Sequence, residues 1–249
     1  MSKSYRLEFL LGFILCLSNA SNASVIDFET VPGGTPSDQL AISTQYQAIY
    51  GVTFSLERGG TDTTPYLEQT GASDTGHGFW NAAANTFDTE AAGYEGELGN
   101  YFLRFGTSTF SDTPGPILII TYDTPVSAAS AQIWDIDAAP PTSPNGYEAW
   151  TITARDIGGV VIDTINSPIG INENLSESLN AKPWTWSFDH EQNDIYSIAV
   201  EFSGTASIVG LAFDNFSPAT AAVPLPAAGL LFGTGLISII AVARRKVHI

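Results

Sequence analysis

Asp27 and Glu29 near one end of the chain, and Asp214 towards the other, are the residues best suited to hold a cation. They lie in Asp27-Phe28-Glu29 and Phe213-Asp214-Asn215, within the first and last segments that read as strands of the body. First and last strands are neighbours in many jelly rolls, so these oxygens can converge. Calcium takes about 6 to 8 oxygen ligands, mostly carboxylates and backbone carbonyls, and a structural calcium site is the chemistry this set offers. The plainer reading is that the acids alternate with Ile26, Phe28 and Phe213 because a strand has one wet face.

Indole rings supply the second kind of chemistry. A sugar presents an apolar C–H face that stacks on a flat ring, while nearby Asp and Asn bond its hydroxyls. Trp184 and Trp186 are two residues apart and so share one face of a strand, either as a stacking platform or as core. Trp134 and Trp150 sit in alternating apolar strands and read as core. Trp80 follows Gly76-His77-Gly78-Phe79 in a polar stretch and is the best candidate for a solvent-facing ligand contact.

Catalysis has little to stand on. Asp74-Thr75-Gly76 occurs once, whereas the aspartic protease chemistry needs two carboxylates sharing a proton. There is no Gly-x-Ser-x-Gly elbow, no His-Glu-x-x-His pair and no phosphate-binding loop. Loop histidines such as His77, and His190 between Asp189 and Glu191, read as solvated. Glycoside hydrolysis needs only two suitably spaced carboxylates, which so acidic a chain always offers. The chain reads as a non-enzyme.

The elements that must position these residues follow from composition. Of 249 residues 44% are apolar and 14% charged, with 23 Gly and 14 Pro, a balance that favours short strands and turns over helices. Between Ser24 and Ala222 four cations, Arg58, Arg104, Arg155 and Lys182, face 25 acids, a net charge of −21. That excludes nucleic acid as a partner, because phosphate binding needs clustered cations. It favours divalent cations that bridge carboxylates to an acidic polysaccharide. Strands are expected at Val25 to Phe28, Val52 to Leu56, Tyr101 to Phe105, Ile117 to Tyr122, Val126 to Ile136, Ala149 to Arg155, Val160 to Ile165, Trp184 to Phe188, Ile195 to Phe202 and Val209 to Phe213. In Ile195 to Phe202 the apolar Ile198, Val200 and Phe202, with Tyr196, face one way and Ser197, Ala199 and Glu201 the other. Asp156-Ile157-Gly158-Gly159 reads as a hairpin turn. Gly59 to Asn100 and Pro140 to Gly146 read as loops. The expectation is an all-β, two-sheet, jelly-roll-like sandwich over residues 24–216, followed by a linker at 217–222.

Both termini carry address-like patterns. Residues 1–23 combine Lys3 and Arg6, the apolar run Leu10 to Leu17 and two Ser-Asn-Ala sites, the pattern of a cleaved signal peptide used by the Sec translocon. Cleavage removes Cys16, the one cysteine. At the other end Val223-Pro224-Leu225-Pro226 precedes seventeen uncharged residues, 227–243, and then Arg244-Arg245-Lys246. A helix of that length spans about 25 Å, close to the hydrocarbon core, with the cations on the cytoplasmic side.

These residues resemble the PEP-CTERM sorting signal of Gram-negative bacteria, over residues 223–249, with Leu225 where the namesake motif has an acid. The resemblance implies export, transient membrane insertion, processing by an exosortase near Pro224 to Pro226, and delivery to the cell surface or extracellular matrix. It further implies association with exopolysaccharide and biofilm. A permanent membrane anchor is the physical alternative to processing. The opening Ile-Asp-Phe-Glu and the closing Ala-Phe-Asp-Asn-Phe are similar to an extracellular carbohydrate-binding sandwich, in which calcium ties the terminal strands. Three functions follow as expectations: a surface or matrix protein, a calcium-dependent lectin-like module, or a secreted glycosidase.

Overall fold

The computed structural model describes residues 25–58, 61–72, 78–81, 86–105, 115–138, 146–172, 175–206 and 209–218. The expected signal peptide (1–23), the expected sorting motif Val223 to Pro226, the apolar span 227–243, the cations at 244–246, His77, Asp74 and the Pro140 to Pro144 stretch lie outside these residues. Among the described residues no helix is long and apolar enough to cross a membrane.

Thirteen strands and one helical turn are described. They are α1 (Gln47–Tyr50), β1 (Val52–Arg58), β2 (Thr61–Thr63), β3 (Tyr66–Gln69), β4 (Trp80–Asn81), β5 (Thr86–Phe87), β6 (Tyr101–Arg104), β7 (Ile117–Val126), β8 (Ala128–Ile136), β9 (Trp150–Arg155), β10 (Val161–Asn166), β11 (Leu179–Asp189), β12 (Ile195–Phe202) and β13 (Ala212–Ser217). All pairings between them are antiparallel. One sheet has the order β10-β9-β12-β7-β1-β2 and the other β11-β8-β13-β6-β3, with β4 and β5 as a separate hairpin. The chain is thus nearly all-β and sandwich-like.

Period-two patterning explains which face of each strand goes inside. Trp150, Ile152 and Ala154 of β9, Leu118, Ile120 and Tyr122 of β7, and Val52, Phe54 and Leu56 of β1 alternate with half-buried Thr, Ser, Ile and charged residues. Their partners across the gap come from β8, β11 and β13: Ile133, Trp186, Phe188, Phe213 and Phe216. One end of this core is aromatic, with Phe28, Tyr46, Phe54 and Phe216 meeting edge to face at 5.8–6.0 Å. The Asp156 turn forms as expected: Asp156 Oδ1 accepts the N–H groups of Gly158 and Val160, and Gly159 takes φ +78°.

A second apolar cluster lies on the far side of the five-stranded sheet. Phe102, Trp134, Ala181 and Ala212 project away from the main core and are covered by Phe79 and Leu98, with Phe87, Ala91 and Tyr94 packed around them. The expectation of a plain loop from Gly59 to Asn100 is therefore corrected. The stretch contains β2, β3, β4 and β5, and part of it roofs a sheet. Its apolar residues are too widely spaced to show an alternating pattern, yet Trp134 and Phe102 give them something to bury against.

Candidate functional site

The carboxylates expected to converge belong to segments that do meet. Ile26 pairs with Phe216: the Ile26 N–H donates to the Phe216 carbonyl at 2.7 Å and the Phe216 N–H to the Ile26 carbonyl at 2.9 Å. This single bridge aligns Asp27 and Glu29 beside Asp214 in β13. Two left-handed residues, Phe28 at φ +57° and Asn215 at φ +51°, turn the chain on either side of the pairing.

Glu29 is fully engaged. Its Oε1 accepts the N–H groups of Asn100 at 2.5 Å and Tyr101 at 2.9 Å, and its Oε2 accepts Asn100 Nδ2 at 2.8 Å. Asp27 Oδ1 accepts the Glu29 N–H at 3.1 Å, closing a local turn. Asp214 differs from both. It is 1% exposed, its Oδ2 accepts Asn215 Nδ2 at 3.2 Å, and its Oδ1 is buried without a hydrogen-bond partner. Burial pushes its carboxyl well above the ordinary value; a hydrogen bond from the Asn215 backbone opposes that shift, and the charges of Asp27 and Glu29 add to it in smaller measure. Asn215 Nδ2 also reaches the Glu97 carbonyl at 3.2 Å and Gln132 Oε1 at 2.9 Å, so backbone and amide oxygens lie around the same spot.

The three acids do not form a complete ligand set by themselves. Among the described residues no three His, Cys, Asp or Glu side chains are grouped as a metal cage. A hard cation held here would use Asp214 Oδ1 as its orphaned oxygen and draw other ligands from backbone carbonyls and water, a mixture typical of calcium.

The tryptophans separate. Trp186 is 2% exposed and packs in the main core against Phe188 and Phe213, so of its two expected readings, ligand platform or core, it takes the core one. Trp184, on the same strand face, is half-buried against that core. Trp150 and Trp134 are buried, as expected, but in different clusters. Trp80 lies in β4 with its backbone paired to Phe87.

Sequence reasoning missed a group of acids at the entry of β11. There Leu179 pairs with Ile136 and Pro183 with Trp134, so the register shifts, with Asp135 at φ +67° and Ala181 at φ +54°. The Ala181 N–H donates to Asp135 Oδ1 at 2.9 Å. With its nitrogen turned inward, the Asn180 amide donates to Asp88 Oδ2 at 3.1 Å, Asp137 Oδ2 at 3.2 Å and Asp135 Oδ1 at 3.3 Å. Glu148 adjoins them, and burial, followed by Asp137 and Asp135, pushes its carboxyl well up. These residues are scattered from 88 to 180 in the sequence and meet beside the β11 bulge.

No family model matches the sequence, and no curated protein matches it. Among solved structures, a DUF4465 family protein from Bacteroides caccae ATCC 43185 is 12% identical, with 75% of this chain and 89% of that one covered at a TM-score of 0.40. TmCBM61 in complex with beta-1,4-galactotriose is 11% identical, with 67% and 86% covered and a TM-score of 0.32. The N-terminal CBM22-1-CBM22-2 tandem domain of Paenibacillus barcinonensis Xyn10C is 13% identical, with 75% and 47% covered and a TM-score of 0.28. All are distant likenesses of shape, and no role is read from them.

Proposed function

We propose that this is an exported cell-surface or extracellular-matrix protein, released from the Sec translocon and sorted by an exosortase. In this reading its β-sandwich body is closed by calcium and associates with extracellular polysaccharide. The observation that carries the reading of the body is the buried, unpartnered Oδ1 of Asp214 beside two further carboxylates. A buried anion in that setting is stabilised either by a proton or by a cation, and outside the cell calcium is abundant. Asp214 and Asp27 would hold the ion, with Glu29 fixing the Asn100–Tyr101 backbone beside it. The address patterns at residues 1–23 and 223–249 support export and sorting, and the net charge of −21 between Ser24 and Ala222 supports cation bridging to an acidic polysaccharide.

Calorimetry and polysaccharide binding with the purified protein test the two halves. Saturable calcium binding that raises the melting temperature, and glycan binding that a chelator abolishes, are the expected results. Calcium that produces neither heat nor a melting shift overturns the site. Glycan binding indifferent to chelation separates the body's role from the ion. Recovery of mature protein that retains a peptide beyond Arg244 overturns exosortase processing.

A further inference from the structure

A second constrained cluster lies at the open edge where the two sheets end. β10 is the outermost strand of the six-stranded sheet and β11 the outermost of the five-stranded one. His190 directly follows β11. Its backbone N–H donates to the Ser127 carbonyl at 2.7 Å, and its ring stands edge-on to Phe188 with centroids 6.2 Å apart. Nδ1 lies 2.7 Å from Asp194 Oδ1, just ahead of β12, and Nε2 lies 3.3 Å from Asp163 Oδ2 in β10. An ionised carboxylate only accepts hydrogen bonds, and a neutral imidazole has a single N–H. With acceptors at both nitrogens, one contact opposes two lone pairs unless the ring carries both protons.

We propose that His190 is a pH-sensitive clip across this open edge: as imidazolium it bonds Asp163 and Asp194 together, and on losing a proton it keeps Asp194 and releases Asp163. The shorter Nδ1 contact retains the single proton, so the bond that is lost is the one tying the end of β11 to β10. The consequence falls on β10, which pairs with β9 on one side only among the described residues and begins at exposed Val161 after exposed Val160. Such an edge is a template for strand addition when it loosens.

The surroundings of the ring act in one direction. Asp163 faces it from β10 and Asp194 from the turn, while Asp189 and Glu191 adjoin it in the chain. Phe188 from β11 and the Ser127 carbonyl are uncharged, and among the described residues no Lys or Arg is bonded to it. Burial works to lower the imidazole, but the bonds to Asp194 and Asp163 outweigh it and hold the ring above its ordinary value of 6.5. A raised folded-state value means the clip's stabilisation is complete below the unfolded value and is lost as pH rises through the folded one.

The test compares full-length wild type, His190→Gln and Asp163→Asn in detergent, by melting temperature across pH and by NMR titration of the His190 ring. Wild type is expected to melt about 2 to 4 °C above His190→Gln at about pH 6, with the difference vanishing by about pH 9. Asp163→Asn, a half-exposed substitution, is expected to lower the His190 titration midpoint. A melting difference that is constant across pH marks a purely structural contact and overturns the clip, as does a midpoint that Asp163→Asn leaves unmoved.

Discussion

Ile26 and Phe216 exchange two backbone hydrogen bonds, joining the first described segment to the last strand. Both side chains are buried, and Phe216 packs on Phe54 and Phe213 at about 6 Å. The pairing therefore does two things at once: it closes the aromatic end of the core, and it places Asp214 beside Asp27 and Glu29 at the seam. The closure of the core and the meeting of these carboxylates share one joint.

Asp214 makes that joint sensitive to pH. Its folded-state carboxyl is raised, so the folded chain binds a proton more tightly than the unfolded chain. In the presence of chelator, stability is expected to fall as pH rises through and above the ordinary Asp range of about 3.9. Calcium is expected to reverse that fall. Asp214→Asn is expected to flatten the pH dependence and remove the calcium response. Melting curves across pH, with calcium and with chelator, check all three.

Glu29 holds Asn100 and Tyr101 through three bonds, and a Cβ at Gly99 would collide with its carboxylate. Gly99 also takes φ +69°, which a side chain resists. Gly99→Ala is expected to cost about 1–3 kcal/mol by denaturant unfolding. Glu29→Ala, which leaves the backbone donors without their acceptor, is expected to cost about 2–3 kcal/mol. Glu29→Gln should recover part of that loss.

The central strands were legible because they obey a period of two between clear turns. β12 matches its expected bounds, β6 and β9 differ by one residue at one end, and β7 runs four residues further than expected. β11 begins five residues earlier than its apolar pattern suggests, because Pro183 is tolerated on an edge strand and the bulge at Asn180 disguises the alternation. β13 begins three residues later than expected and runs through the left-handed Asn215. Of the candidate site, the meeting of the two ends is present, but the strand expected at Val25 to Phe28 is corrected to a single bridge at Ile26, because the left-handed Phe28 turns the chain out of the ladder. What sequence could not show was that Glu29 is occupied by backbone donors while Asp214 has a free buried oxygen. Nor could it show that Trp186 faces inward, since spacing puts two residues on one face without saying which face is wet.

Glu68 and Arg104 form an ion pair at 3.1 Å on β3 and β6, with both side chains 1% exposed. Removing one partner strands the other charge in a dry setting. Glu68→Ala is expected to destabilise by about 3–5 kcal/mol, and the double replacement Glu68→Leu with Arg104→Met by much less. A double-mutant cycle in urea measures the coupling.

Trp134 anchors the second cluster, with Phe79 and Tyr94 edge-on at 6.1 Å and 6.4 Å. Trp134→Ala is expected to cost about 3–5 kcal/mol and to increase amide exchange in residues 86–98 first. Trp80→Ala, if that ring contacts sugar, is expected to weaken glycan binding at least tenfold while leaving the melting temperature in place. Binding and melting measured on one preparation of each variant distinguish the two roles.

With Phe79, Leu98 and Tyr94 lying over Trp134 and Phe102, the middle of the five-stranded sheet has no open floor along which a long polymer could lie. An extended partner laid flat on this sheet would first have to displace that cover.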